Sequence, residues 1–175
     1  MSTLKIPVGE QDHTQGPTAA PCTLVEYGDY ECPHCRAAEP TVKRVQRHFG
    51  DRLRFVFRNF PLTKIHWHAE PAAEAAEFAA SQGKFWEMHH AIFENQDRLG
   101  LDLFEELATE LQLDPVALRS AVENEAFADH IRSDFAGGVR SGVNGTPTFF
   151  INGERHNGPF DYDHLVKAIE ATLKA

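Results

Sequence analysis

The stretch Glu26-Tyr27-Gly28-Asp29-Tyr30-Glu31-Cys32-Pro33-His34-Cys35-Arg36 constrains this chain more than any other. Thr23 to Tyr27 is a short β-prone run, Gly28 and Asp29 break it, and helical character continues to Phe49. Cys32 therefore falls where a strand end passes into a helix start. Pro33 follows at a first-turn position, where its missing N–H would have lacked a partner anyway. Unpaired backbone N–H groups and the helix dipole favour an anion at such a joint, so Cys32 is expected to have a depressed pKa and to be the attacking sulfur. His34, when protonated, and Arg36 add positive charge. Cys35 lies one turn further in, is expected to be more buried, and would resolve a mixed disulfide by attacking Cys32. Half of a zinc site and two structural thiols are the other readings; a strand before, a helix after and no second Cys-x-x-C pair weigh against both.

Glu26 stands six residues before Cys32, between apolar neighbours of the same strand. A buried carboxyl near the resolving sulfur would have a raised pKa and could exchange a proton with Cys35. The alternative is a solvated Glu facing an edge.

These residues resemble a known family. Cys32-Pro33-His34-Cys35 carries the dipeptide of the DsbA group of thioredoxin-fold proteins, and an acid six residues upstream fits the thioredoxin pattern. A third mark, Gly142-Val143-Asn144-Gly145-Thr146-Pro147-Thr148-Phe149-Phe150-Ile151-Asn152-Gly153, is similar to the family's cis-proline strand. The resemblance covers nearly the whole chain. It implies that Pro147 is cis, that its loop faces the Cys-x-x-C turn, that the Thr146 backbone pairs with an extended substrate peptide, and that Pro147 keeps metal ions and side reactions from the thiols. From the residues alone, a proline suits a strand boundary or special loop, for which a cis bond is a reason, and a trans proline starting the strand is the alternative.

At 175 residues with 42% hydrophobic residues, the chain can bury a core without disulfide staples, and its three cysteines make no disulfide framework. No secretory signal is visible at Met1 to Pro7, and no stretch approaches the roughly 20 apolar residues of a membrane helix. Unless a leader has been removed, a cytoplasmic location is expected, where a Cys-x-x-C is more often catalytic than structural. The net charge of −9 argues against general nucleic-acid binding.

In chain order, Leu4 to Val8 is a brief apolar piece able to pair as an edge strand, and residues 12–17 read as a loop. Cys22 opens the first central strand and reads as a small buried apolar residue, with a third exchanging thiol as the alternative; the family usually carries an aliphatic residue there. Leu53 to Arg58 alternates with period two, which completes a βαβ unit and predicts a parallel pair. From Lys64 to Arg140 the signal is helical: an alanine face (Ala69, Ala72, Ala73, Ala76, Ala80), an aromatic helix (Phe85, Trp86, Met88, His89, Phe93), a stripe after Asp102 as N-cap, a helix capped by Asp114-Pro115, and a last stripe (Phe127, Ile131, Phe135) ending at Gly137-Gly138 or Gly142. Asn152-Gly153 signals a hairpin, and Asp161 can cap a final helix. The fold class is α/β, a thioredoxin fold with an all-helical insertion of the DsbA type. It forms one domain over 1–175, with its core at 1–63 and 141–175 and the insertion at 64–140.

Among the ten histidines, His66 and His68 alternate around Trp67, and His89 and His90 are adjacent; neither pair has the i, i+4 spacing of a helical zinc site, so no metal is expected unless a further ligand converges. His66 to His68 could instead line a substrate groove, with Trp67 equally suited to packing.

Together these readings give a thiol–disulfide oxidoreductase in which Cys32 and Cys35 exchange, Pro33 opens the helix, His34 stabilises the thiolate, Glu26 moves the proton, and Thr146 and Pro147 bind substrate. Its partner would be a thiol- or disulfide-containing protein or glutathione, the latter as electron donor. The redox-active disulfide itself would take the place of a cofactor. A glutathione-dependent isomerase or transferase of the same group is one alternative, and a redox sensor or binding module involving Cys22 is another.

Overall fold

The computed structural model describes residues 2–175. The central sheet is built from β1 (His13–Gln15), β2 (Cys22–Gly28), β3 (Leu53–Asn59), β4 (Thr148–Ile151) and β5 (Glu154–Arg155), in the order β1-β3-β2-β4-β5. β2 and β3 are parallel, with Cys22 opposite Leu53 and Gly28 opposite Asn59; every other pairing is antiparallel. The crossover between them is α1 (Pro33–Phe49), as the spacing of apolar runs predicted. Five helices separate β3 from β4: α2 (Ala69–Ser81), α3 (Phe85–Glu94), α4 (Leu101–Glu110), α5 (Pro115–Glu123) and α6 (Ala128–Arg140); α7 (Tyr162–Lys174) closes the chain.

The period-two pattern of the central strands works on two covered faces. Leu24 of β2 and Leu53, Phe55 and Phe57 of β3 face the larger core, which α1, α7 and the inserted helices complete. Val25, Tyr27, Val56 and Phe150 face a smaller one, closed by Phe60 and Val143 and by Leu4 and Val8 of the N-terminal segment. Arg58 lies on that second face and is buried. Its guanidinium donates to both carboxylate oxygens of Asp12 (2.7 and 2.9 Å), to the Tyr27 hydroxyl (3.0 Å), and to the carbonyls of Ile6 and Pro7 (2.9 and 3.1 Å), so all its donors are engaged.

That arginine also explains a correction to the strand reading. Leu4 to Val8 is not an edge strand: it crosses the face of the sheet, held through the Ile6 and Pro7 carbonyls, and the backbone at its start pairs with the sheet where Thr3 bridges Glu154, Leu4 N–H donating to Gly153 O at 2.8 Å and Arg155 N–H to Ser2 O at 3.0 Å. The edge strand is His13–Gln15, inside the segment expected to be a loop.

One helix start shifts as well, and one helix end falls at the second of its two expected positions. α4 begins at Leu101 with Gly100 at its cap; Asp102 sits inside the first turn. α6 runs through Gly137-Gly138 to Arg140, and the chain turns at Gly142 (φ +82°). The glycine pair serves packing, since a Cβ on Gly138 would lie 2.7 Å from the Phe60 ring. The caps at Asp114, whose carboxylate accepts from Val116 N and Ala117 N, and at Asp161, which accepts from His164 N, are as expected.

Candidate active site

Cys32 is the N-cap residue of α1, in extended conformation (φ −71°, ψ 121°), and Pro33 occupies the first turn. The positive end of the helix dipole thus falls at Cys32. Across a gap of 3.5 Å the Cys32 thiol donates to the carbonyl of Thr146, and the Thr146–Pro147 peptide is cis. The two motifs, separated by more than a hundred residues of sequence, meet at one atom pair because β4 is hydrogen-bonded directly beside β2.

The electrostatics separate the two sulfurs. The Cys32 pKa falls from 9.0 to about 5, chiefly because the Cys35 thiol hydrogen-bonds to it; burial opposes, and the Thr146 side chain and the backbone N–H groups of Cys35 and His34 add to the lowering. Cys35 is pushed the other way, first by burial, then by its hydrogen bond to Cys32 and by the charge of Glu26. Its sulfur accepts from Asp29 N–H at 3.4 Å. Glu26 is buried on β2, and burial, followed by the charges of Glu39 and Cys32, raises its pKa well above the usual carboxylate range.

His34 projects into solvent, and its influence on Cys32 comes from its backbone N–H and not its ring. His66 and His68 flank the turn without converging on a common point: His66 Nδ1 meets Asp29 Oδ2 at 2.8 Å and His68 Nδ1 meets Glu31 Oε1 at 3.1 Å. Trp67 between them is 80% exposed, so it is no packing residue.

Asp29 is the organiser that residue patterning read only as a strand breaker. Its Oδ1 accepts from the N–H groups of Glu31 (2.8 Å) and Cys32 (3.2 Å), while Oδ2 accepts from Leu62 N–H and faces His66 (both 2.8 Å). One buried carboxylate thereby shapes the Cys32 turn and ties the loop after β3 to it. The sequence signal was an Asx turn, an Asp two residues before the N–H it binds. Gln96, from the helical insertion, was equally unforeseen: its Nε2 donates to the carbonyls of Tyr30 and Cys32, both at 2.9 Å. Four residues after Cys35, Glu39 contacts His89 (3.4 Å), His90 and Lys43 (3.4 Å), and the hydrogen bonds of the two imidazoles overcome burial to hold its pKa low. His89 in turn bonds Tyr30 at 2.9 Å through Nδ1.

A helix-capping Cys-x-x-C beside a cis-proline loop, on a thioredoxin sheet interrupted by helices, defines the class of DsbA-like thiol–disulfide oxidoreductases. The chain belongs to the thioredoxin family, whose model matches residues 9–171. Its fold is similar to that of BdbD from Bacillus subtilis, crystallised oxidised, with a TM-score of 0.90, 26% identity and 99% of both chains covered. A thioredoxin-like oxidoreductase from Silicibacter pomeroyi DSS-3 is similar over 95% of both chains, at a TM-score of 0.84 and 28% identity. Among curated sequences, the Na(+)/H(+) antiporter NhaA 3 of Salinispora tropica is 43% identical over 167 residues, 95% of this chain but 26% of that protein. The chain therefore spans about a quarter of the curated relatives it matches.

Proposed function

We propose that this chain catalyses thiol–disulfide exchange through Cys32 and Cys35. The Cys32 thiolate attacks one sulfur of a substrate disulfide; the S–S bond breaks, one substrate sulfur leaves as thiolate, and a mixed disulfide forms. Cys35 then gives its proton to the ionised form of Glu26 and attacks Cys32 Sγ, releasing the second substrate thiolate and closing the Cys32–Cys35 disulfide. Two electrons pass from the pair to the substrate, and the reverse sequence oxidises a dithiol. The observation that carries this reading is the division of labour at the helix start: Cys32 ionises at about 5 opposite Thr146, while burial holds Cys35 protonated beneath it.

Thr146 and Pro147 are the residues that would seat an extended substrate segment against Cys32. A thiolate this stable favours the dithiol over the disulfide, which makes the pair oxidising toward its partners, whether thiol-containing proteins or glutathione. In the cytoplasm, the location expected from the sequence, the glutathione pool would hold such a pair reduced and it would act as reductase or isomerase; in a more oxidised compartment it would donate disulfides. The antiporter name of the longer relatives is not carried over. Among the described residues no helix is long and apolar enough to cross a membrane, so the segment shared with them is read as a redox module.

The test is trapping. Cys35→Ser protein treated with oxidised glutathione should accumulate a stable mixed disulfide on Cys32, visible by mass spectrometry, whereas the native chain should pass through it to an internal disulfide. A glutathione-transferase or isomerase reading would be favoured instead if Cys35→Ser retained full turnover.

A further inference from the structure

Away from the thiols, three elements bring nitrogen and oxygen donors together. His13 lies on β1, Glu77 on α2 and His130 on α6. His13 Nε2 stands 2.9 Å from Glu77 Oε1, His130 Nε2 stands 3.5 Å from the same oxygen, and one donor atom from each residue falls within 4.8 Å of the others. Donors around a tetrahedral zinc with bonds of about 2.0–2.1 Å lie roughly 3.3 Å apart, so small shifts of three side chains would supply three of its four donors.

The surroundings are those of a held ligand set. The His13 ring stacks on Phe85 with centroids 3.6 Å apart. Asn59 Nδ2 donates to Glu77 Oε1 at 2.9 Å and to Asp134 Oδ2 at 3.3 Å, which fixes both carboxylates, while the buried Asn59 Oδ1 has no partner among the described residues. Ligating carboxylates are characteristically oriented by such outer hydrogen bonds. Asp134 Oδ2, 3.6 Å from His130 Nε2, brings a second negative charge, and the neighbouring buried cation, Arg58, is committed to Asp12.

We propose that His13, Glu77 and His130 bind a divalent cation of the zinc class, with Asp134 adding charge and Asn59 positioning the carboxylates. Imidazole donors select such borderline ions over calcium or magnesium, which prefer oxygen. The ion would pin the sheet edge to the helical insertion. The second histidine–carboxylate group, Glu39 with His89 and His90, is disfavoured for this role because Lys43 already lies 3.4 Å from Glu39.

Full-length Cys32→Ser/Cys35→Ser protein keeps the active-site thiols from holding metal. After chelator treatment, incubation with zinc chloride and desalting, it should retain one zinc per chain, and zinc should raise its melting temperature. Cobalt chloride should give the visible absorption of a four-coordinate site. His13→Gln and His130→Gln should each weaken zinc binding at least tenfold, while His90→Gln should leave it unchanged. His130 is partly exposed, so its variant decides the matter if His13→Gln fails to fold. Retention near zero, equal retention in His130→Gln, or displacement of zinc by an equal concentration of calcium would overturn the proposal. The first two of these results would mark the cluster as an ion-pair network only.

Discussion

Removing the Cys35 thiol should make Cys32 harder to ionise, although it takes away nothing that carries a charge at neutral pH. The Cys32 pKa lies four units below the ordinary thiol value, from 9.0 to about 5, and the largest contribution is the hydrogen bond from Cys35. Four units correspond to about 5.4 kcal/mol between the two protonation states. A hydrogen bond to a charged group contributes roughly 1.5–3 kcal/mol, or about one to two pH units, so Cys35→Ala should move the Cys32 inflection from about 5 to about 6–7. Cys35→Ser keeps a donor and should stay within about half a unit of the native value. The assay is the pH dependence of iodoacetamide alkylation, read by mass spectrometry on Cys32. At pH 5.5 the alanine variant should react roughly threefold to twenty-fivefold more slowly than the native chain, and above pH 8.5 the two should converge. The sign follows from the thiolate being the reactive form: a depressed pKa maintains reactivity as pH falls, down to that pKa. An unchanged inflection in Cys35→Ala would refute the assignment to the Cys35 hydrogen bond. A native inflection above 8 would refute the stabilised thiolate altogether.

Glu26→Gln should raise the thermal stability of the reduced protein at pH 7.5 by on the order of 1 kcal/mol, because the native fold retains a proton that the unfolded chain releases above about pH 4.3. The gain should vanish below that pH, where both states are protonated, and calorimetry across pH 4–8 checks it. The same substitution should slow closure of the Cys32–Cys35 disulfide by about a hundredfold in rapid-quench experiments, the lower end of general acid–base effects. Cys22 lies at the far end of β2, about 20 Å along the strand from its active-site end, and burial raises its pKa to about 11. Cys22→Ala should leave exchange rates unchanged and cost about 1 kcal/mol of stability, and native Cys22 should resist alkylation at pH 8; a disulfide-linked dimer through Cys22 would contradict this.

Local patterning in the sequence reached the parts of the site that are contiguous. The strand–turn–helix joint, Pro33 in the first turn, the Asn152-Gly153 hairpin and the Asp114 and Asp161 caps each depend on neighbours within a few residues, and each is present. The meeting of Cys32 with Thr146 was accessible only through the family resemblance, because nothing local links residues 114 apart. The histidine clusters were missed for a related reason: the i, i+4 rule addresses one helix, whereas His13, Glu77 and His130 sit on three elements. Gln96 could not be read at all, since its two carbonyl partners are satisfied across the interface between insertion and core. The β1 error arose where apolar content at Leu4 to Val8 competed with a short polar strand, and buried Arg58 decided the outcome by taking the Ile6 and Pro7 carbonyls.

The central claim is that Cys32 and Cys35 form a reversible, oxidising pair. The most direct measurement equilibrates the full chain in graded reduced and oxidised glutathione at pH 7, quenches by alkylation, and reads the Cys32–Cys35 state by mass spectrometry. A thiolate ionising at about 5 stabilises the dithiol at pH 7 by about 2.7 kcal/mol over an ordinary thiol, worth about 60 mV in a two-electron couple. Its pKa falls between those of thioredoxin (about 7) and DsbA (about 3.5), so the potential should fall between about −270 and −120 mV. A value at or below −270 mV, or no Cys32–Cys35 disulfide at any ratio, would contradict the account.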